Sequence, residues 1–108
     1  MPAKAAEYRL ALETNRDMEA IWLYTQEEWG LEQANLHIDK LTATFENLAA
    51  NPQLGTACSY IRQGYRRAES GRHMIYFRIT DYGIAVIRVL HTRMDAPRHF
   101  GDTNAERE

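Results

Sequence analysis

The clearest regularity in the chain lies between residues 31 and 48. Leu31, Ala34, Ile38, Leu41, Phe45 and Leu48 follow one another at spacings of 3, 4, 3, 4 and 3, the period that lines one face of an α-helix. The stripe is narrow, near an a/d seam, so it predicts a helix packed antiparallel on a neighbour. That neighbour is predicted over 15–29, where Met18, Ile21, Trp22, Thr25 and Trp29 share a face and both tryptophans are expected to enter the core. Gly30 ends the first helix. Asn51-Pro52 stops the second, because proline disfavours helical geometry in the residue before it. Ahead of the hairpin, "YRLAL" (8–12) reads as a short strand and "ETN" supplies capping side chains.

After a loop the period changes to two. "YRRAE" (65–69), "HMIYFRIT" (73–80) and "IAVIRVLH" (84–91) are predicted strands. Directly opposed residues of an antiparallel hairpin share a face. A three-residue loop at 81–83, with Gly83 in the left-handed conformation, pairs Ile79 with Ala85, Phe77 with Ile87 and Ile75 with Val89. A two-residue loop breaks that apolar match. The face Ile75, Phe77, Ile79, Ala85, Ile87 and Val89 is therefore expected against the helices. The other face carries Met74, Tyr76, Arg78, Val86, Arg88 and Leu90. Two arginines on a covered face are costly unless paired, so this face is expected to be open. Its mixture of arginine, aromatic and apolar groups suits partner binding. The element order makes an α+β domain, βααβββ: a small, mostly antiparallel sheet with an N-terminal helical hairpin packed on one face.

Length and composition add limits. The 108 residues, 44% apolar and 26% charged, fit one soluble domain, placed at 1–100 with a tail, "GDTNAERE" (101–108), expected to be disordered for want of apolar residues. The single cysteine, Cys58, forms no internal disulfide. The first residues lack the apolar core of a signal peptide, and no run approaches the ~20 apolar residues of a membrane span. The expected location is the cytoplasm. Charge is unevenly spread: residues 1–60 hold four basic and nine acidic residues, whereas 61–108 hold nine arginines, no lysine and six acidic residues. An arginine-only basic half suits carboxylate or phosphate, either as a salt-bridged surface or as a face for an acidic partner or a nucleic acid.

The segments "WLYTQEEWGLEQANLHIDKL", "NPQLG" and "IRQGYRRAESGRHMIYFRITDYGIAVIRVLHTRMDAPRHF" together resemble the ParE-type toxins of the RelE/ParE superfamily. The likeness covers about residues 6–100, and the ordered run of "GYRR", G-x-H-x-I-Y-F-R and I-R-V-L-H-x-R-M-D carries it. It implies the family's βααβββ fold and a toxin of a type II toxin–antitoxin system. It further implies a ParD-like antitoxin of the ribbon-helix-helix type, DNA gyrase as the target, DNA contact only through the antitoxin, and assemblies with two or more toxin copies. An acidic, partly disordered antitoxin tail can fold on an arginine-bearing face. On this reading Arg66, Arg67, Tyr76, Arg78, Arg88, Arg93 and Arg98 are the partner-binding residues for antitoxin or target. The chain is then no enzyme and needs no cofactor or metal.

Two alternatives remain. The RelE branch cuts messenger RNA on the ribosome, which needs a base, an acid and cations around the phosphorane; His91 and Arg93, or Tyr76 with Arg78 and Arg88, are the available groups. An inactive homologue that still binds antitoxin is the other. Strand parity turns His91 toward the helices, as a structural residue. Asp95 reads as an N-cap with Pro97 in the first turn of a short helix, which removes the helical ligand face of His91, Asp95 and His99. Cys58 lacks a histidine or lysine nearby to activate it. His37 lies off the seam of the second helix and is expected in solvent.

Overall fold

The computed structural model describes residues 6–100; the tail reading at 101–108 lies outside them. Strand β1 (Glu7–Leu10) leads into helix α1 (Leu12–Trp29), and Gly30 alone joins it to α2 (Leu31–Ala50). Gly30 sits at φ +96°, a conformation open to glycine at little cost. Its N–H closes α1 on Gln26 O while its carbonyl accepts the Ala34 N–H of α2. A 3-10 turn (Pro52–Leu54) follows, then β2 (Thr56–Ala57), β3 (Tyr65–Ser70), β4 (His73–Thr80), β5 (Gly83–His91) and a short helix α3 (Ala96–His99). The architecture is α+β: two long helices and a five-stranded sheet ordered β1-β5-β4-β3-β2, antiparallel except where β1 runs parallel to β5. No helix among the described residues is long and apolar enough to cross a membrane.

The seam of α2 does what its spacing predicts except at its first residue, since Leu31 at the hairpin tip is 57% exposed. Leu41, Phe45 and Leu48 are buried with Ile75, Phe77, Ile84, Val86 and Val89 of the sheet. The helix hairpin differs at its tip. Trp29 is 71% exposed, and Trp22 is half-buried, its Nε1–H donating to Asn35 Oδ1 at 2.9 Å. Helix α1 starts at Leu12 and β1 ends at Leu10, because Ala11 N–H is already bonded to Val86 O and the Thr14 N–H reaches back to Ala11 O.

The β4–β5 hairpin departs from the expected register. Thr80 pairs with Gly83, so Asp81 and Tyr82 form a two-residue loop. Ile79 opposes Ile84 and Phe77 opposes Val86; then Tyr76 opposes Arg88, leaving Ile87 as an unpaired bulge residue. The bulge shifts parity by one, so Ile75 still opposes Val89. Ala85 and Ile87 are thereby moved off the helix side, Ile84 and Val86 take their places, and Ile79 is left 47% exposed at the hairpin end.

The second face is not open. Tyr76, Ala85, Ile87 and Leu90 are buried there with Tyr65, under Cys58 from the loop after β2 and Ala96 and Phe100 of the C-terminal segment. Phe100 meets Tyr76 and Tyr65 edge-on, with centroids 5.1 and 5.6 Å away. The sheet thus carries an apolar layer on each side.

Candidate partner-binding surface

The arginines divide according to which element holds them. Arg88 is tied to Asp17 of α1: Nε donates to Oδ2 at 2.8 Å and the second nitrogen to Oδ1 at 2.9 Å, with 15% and 12% of the two side chains exposed. Asp17 Oδ2 also accepts the Val89 N–H at 2.9 Å. The geometry follows from the shortness of β1, which pairs with β5 only as far as Val86. Beyond it the first turns of α1 take over. Thr14 donates its hydroxyl to Val86 O at 2.7 Å, and Asp17 receives the next outward N–H. Arg88 is therefore a structural tie and not part of an open docking face, as its strand position alone suggests. Hydrogen bonding to Asp17 raises its guanidinium pKa, against the lowering effect of burial.

Arg66 is also committed. It donates to Gly55 O at 2.6 Å and Pro52 O at 3.3 Å, fastening the 3-10 turn to β3. Arg67 lies opposite Tyr76 across the β3–β4 pair and hydrogen-bonds its side chain. Burial pushes the Tyr76 phenol up, and Arg67 draws it partly back. The Arg67 guanidinium also lies 5.9 Å from the Tyr60 ring centroid, near the limit for a cation–π contact. Tyr76 itself is buried, so it supports this face from beneath and presents little surface to a partner. Arg78 shares its face by strand alternation and is half-buried. Arg93, in the turn after β5, and Arg98, in α3, are exposed.

Arg67 and Arg78 thus lie on the second face of the sheet, Arg93 and Arg98 are exposed on the segment after β5, and Tyr60 is exposed in the loop after β2. Sequence reading missed Tyr60 and Phe100. Tyr60 has no periodic context in its loop. Phe100, the last apolar residue before the polar tail, was a usable signal for a segment that folds back.

Three of the groups able to do acid–base work are histidines in mutual contact. His91 opposes His73 across the β4–β5 pair, and its Nδ1 accepts the Arg93 N–H at 3.1 Å. His73 Nδ1 is 3.3 Å from His37 Nε2 on α2, so His37 is not simply in solvent. Asp95 occupies the N-cap position of α3 with Pro97 behind it, although its carboxylate makes no capping bond. Asp95 and His99 are exposed and separate from the His91 ring contact. Among the described residues no group of three or more His, Cys, Asp or Glu is arranged to hold a metal ion. Cys58 is buried and its thiol is pushed up by burial, with Arg67 and Arg66 drawing it down, a setting unsuited to a nucleophile. An open groove of 390 Å³ beside α2, lined by Thr44, Asn47, Leu54, Thr56, Arg67 and Glu69 among others, contains neither histidine nor cysteine.

Comparison with known proteins adds the family. A model of the ParE toxin of the type II toxin–antitoxin system parDE matches residues 8–96. The Toxin ParE1 of Mycobacterium tuberculosis is 40% identical over 97 residues, covering 89% of this chain and 99% of the relative. Toxin ParE1 of Caulobacter vibrioides is 39% identical over 94 residues, covering 87% and 97%. A solved structure of the chromosomal ParDE TA system from P. aeruginosa superposes with a TM-score of 0.68 at 17% identity, over 81% of this chain and 96% of that one, a likeness of fold. The family match spans nearly all the described elements, and the two ParE1 relatives align over almost their whole lengths: the chain belongs to the ParE toxin family of type II toxin–antitoxin systems.

Proposed function

We propose that this ParE-family toxin acts in the cytoplasm by binding and not by cutting RNA: a cognate ParD-like antitoxin holds it inactive, and the free toxin poisons DNA gyrase. The observation that carries the reading is the 40% identity to a ParE1 toxin across 97 residues. The site supports it. Cleavage of RNA at the ribose needs a proton acceptor beside a proton donor and phosphate-binding cations. Here Tyr76 is buried beneath the C-terminal segment, and His37, His73 and His91 are engaged with one another at the end of the β4–β5 hairpin. Residues 61–108 hold no lysine.

The antitoxin is assigned to Arg67, Arg78, Arg93 and Arg98, and contact with operator DNA to the antitoxin. The assembly is a hetero-oligomer with two or more toxin copies. The test sets purified toxin against gyrase with plasmid and, separately, against translating ribosomes. Inhibited supercoiling with accumulation of linear plasmid, relieved by antitoxin, is expected, with messenger left intact. Cut messenger with unaffected gyrase overturns the reading in favour of the RelE-type activity. Inertness in both assays, with antitoxin still bound, identifies an inactive homologue and equally overturns it.

A further inference from the structure

Three of the four histidines, far apart in sequence, form one stack at the end of the β4–β5 hairpin remote from its loop. His37 comes from α2, His73 from the start of β4 and His91 from the end of β5. His37 Nε2 and His73 Nδ1 are 3.3 Å apart; their ring centroids are 5.2 Å apart, and those of His73 and His91 5.6 Å, edge to face. The rings pack on one another and do not converge on a cation. His37 and His73 are half-buried. We propose that His37, His73 and His91 are an acid-sensitive latch, closed while His91 and at least one of His37 and His73 are neutral, that joins α2 to the sheet and holds the turn leading into α3.

The chemistry follows from proton counting. A hydrogen bond between two imidazole nitrogens needs one N–H and one lone pair. One added proton on the His37–His73 pair preserves that arrangement. A second places N–H against N–H and charge against charge. His91 Nδ1 accepts the Arg93 N–H, so in the neutral ring its proton is on Nε2. Protonation at Nδ1 removes the acceptor and frees the backbone at Arg93. That backbone leads through the 92–95 turn to Ala96 and Phe100, which cover the second apolar layer. Acid therefore loosens both sides of the sheet at one end, together with the segment that presents Arg93 and Arg98.

The surroundings offer these cations little relief. On α2 the neighbour acting on His37 is Lys40. Arg72 in the β3–β4 turn and Arg93 after β5 are also cationic. From β3, Ser70 opposes His73 and is within 3.4 Å of the Thr44 hydroxyl of α2. Asp39 and Glu69 are the acidic residues on the flanking stretches of α2 and β3, and no carboxylate among the described residues hydrogen-bonds to the three rings. Burial, then His37 and His91, lower His73 to about 4; burial and Lys40 lower His37. Both lie below the ordinary 6.5, so the unfolded chain takes up protons at a pH where the folded chain refuses them. Stability is full above pH 6.5 and falls as the pH drops toward about 4.

The full-length chain, labelled at its histidines, tests this by NMR titration. A His73 midpoint near 4 is expected. In His37→Asn the His73 midpoint rises, because a like-charged neighbour is gone while burial remains. In His73→Phe, which keeps a ring in the stack, the urea midpoint loses most of its drop between pH 7 and pH 5. A wild-type His73 midpoint at an unshifted 6.5, or a His73→Phe stability profile parallel to wild type, overturns the latch. Should either variant fail to fold, a wild-type urea midpoint that does not fall between pH 7 and pH 5 overturns the latch.

Discussion

At the scale of the residue, Asp17 shows how one side chain can hold two elements. Its carboxylate accepts three hydrogen bonds, two from Arg88 and one from the Val89 N–H, and both side chains are largely buried. Removing one partner strands the other charge, which costs about 3 kcal/mol in such settings. Asp17→Ala and Arg88→Ala are each expected to lose about that much by urea unfolding. The double variant should lose much less than the sum, giving a coupling above about 1 kcal/mol. Strict additivity would mean that the pair is not a structural tie. Charge reversal at Arg88 is accordingly a folding defect and gives no information on antitoxin affinity. None of this was legible in the sequence: Asp17 and Arg88 are 71 residues apart, and a polar residue on an amphipathic helix carries no mark of its partner.

At the scale of the element, α2 and β5 differ in what their sequences disclose. The seam of α2 alternates sharply with polar residues, so one helical phase alone buries Ala34, Leu41, Phe45 and Leu48. In β5, "IAVIRVLH" is apolar on both parities, and either phase gives a credible core. The three-residue loop and the two-residue loop with a bulge differ only in which apolar set faces the helices. The near-continuous apolar run was itself the signal that both faces are covered. Gly83 resolves the choice in the folded chain. It sits at φ +143° where β1 passes, and a Cβ there would strike the Glu7 backbone. The Glu7 N–H meanwhile donates to Tyr82 O at 2.8 Å. Gly83→Ala is therefore expected to cost about 2–3 kcal/mol and to release β1 first. Amide exchange should show protection falling at residues 7–10 before the β3–β4 pair is affected. Unchanged protection there would place the requirement for glycine in the loop alone.

At the scale of the molecule, the uneven charge becomes a division of labour. The helical half is acidic and carries the structural carboxylate Asp17, whereas the arginine-only half divides into fasteners and surface. Arg66 and Arg88 are consumed by the fold; Arg93 and Arg98 are exposed and form no side-chain ion pair among the described residues. Exposed cations near an interface act mainly on association rate and on salt dependence. On the proposed antitoxin surface, the pair Arg93→Glu with Arg98→Glu should slow association with an acidic antitoxin tail by about tenfold or more at low salt. The deficit should shrink as salt rises from 50 to 300 mM, because screening weakens the wild-type advantage. Unfolding stability should stay within about 0.5 kcal/mol, since both side chains are at the surface. Surface-binding kinetics at the two salt concentrations, paired with urea unfolding of the same samples, separates the possibilities. Unaltered association with unaltered stability would remove the C-terminal arginines from the antitoxin interface and leave Arg67 and Arg78 as its cationic centre.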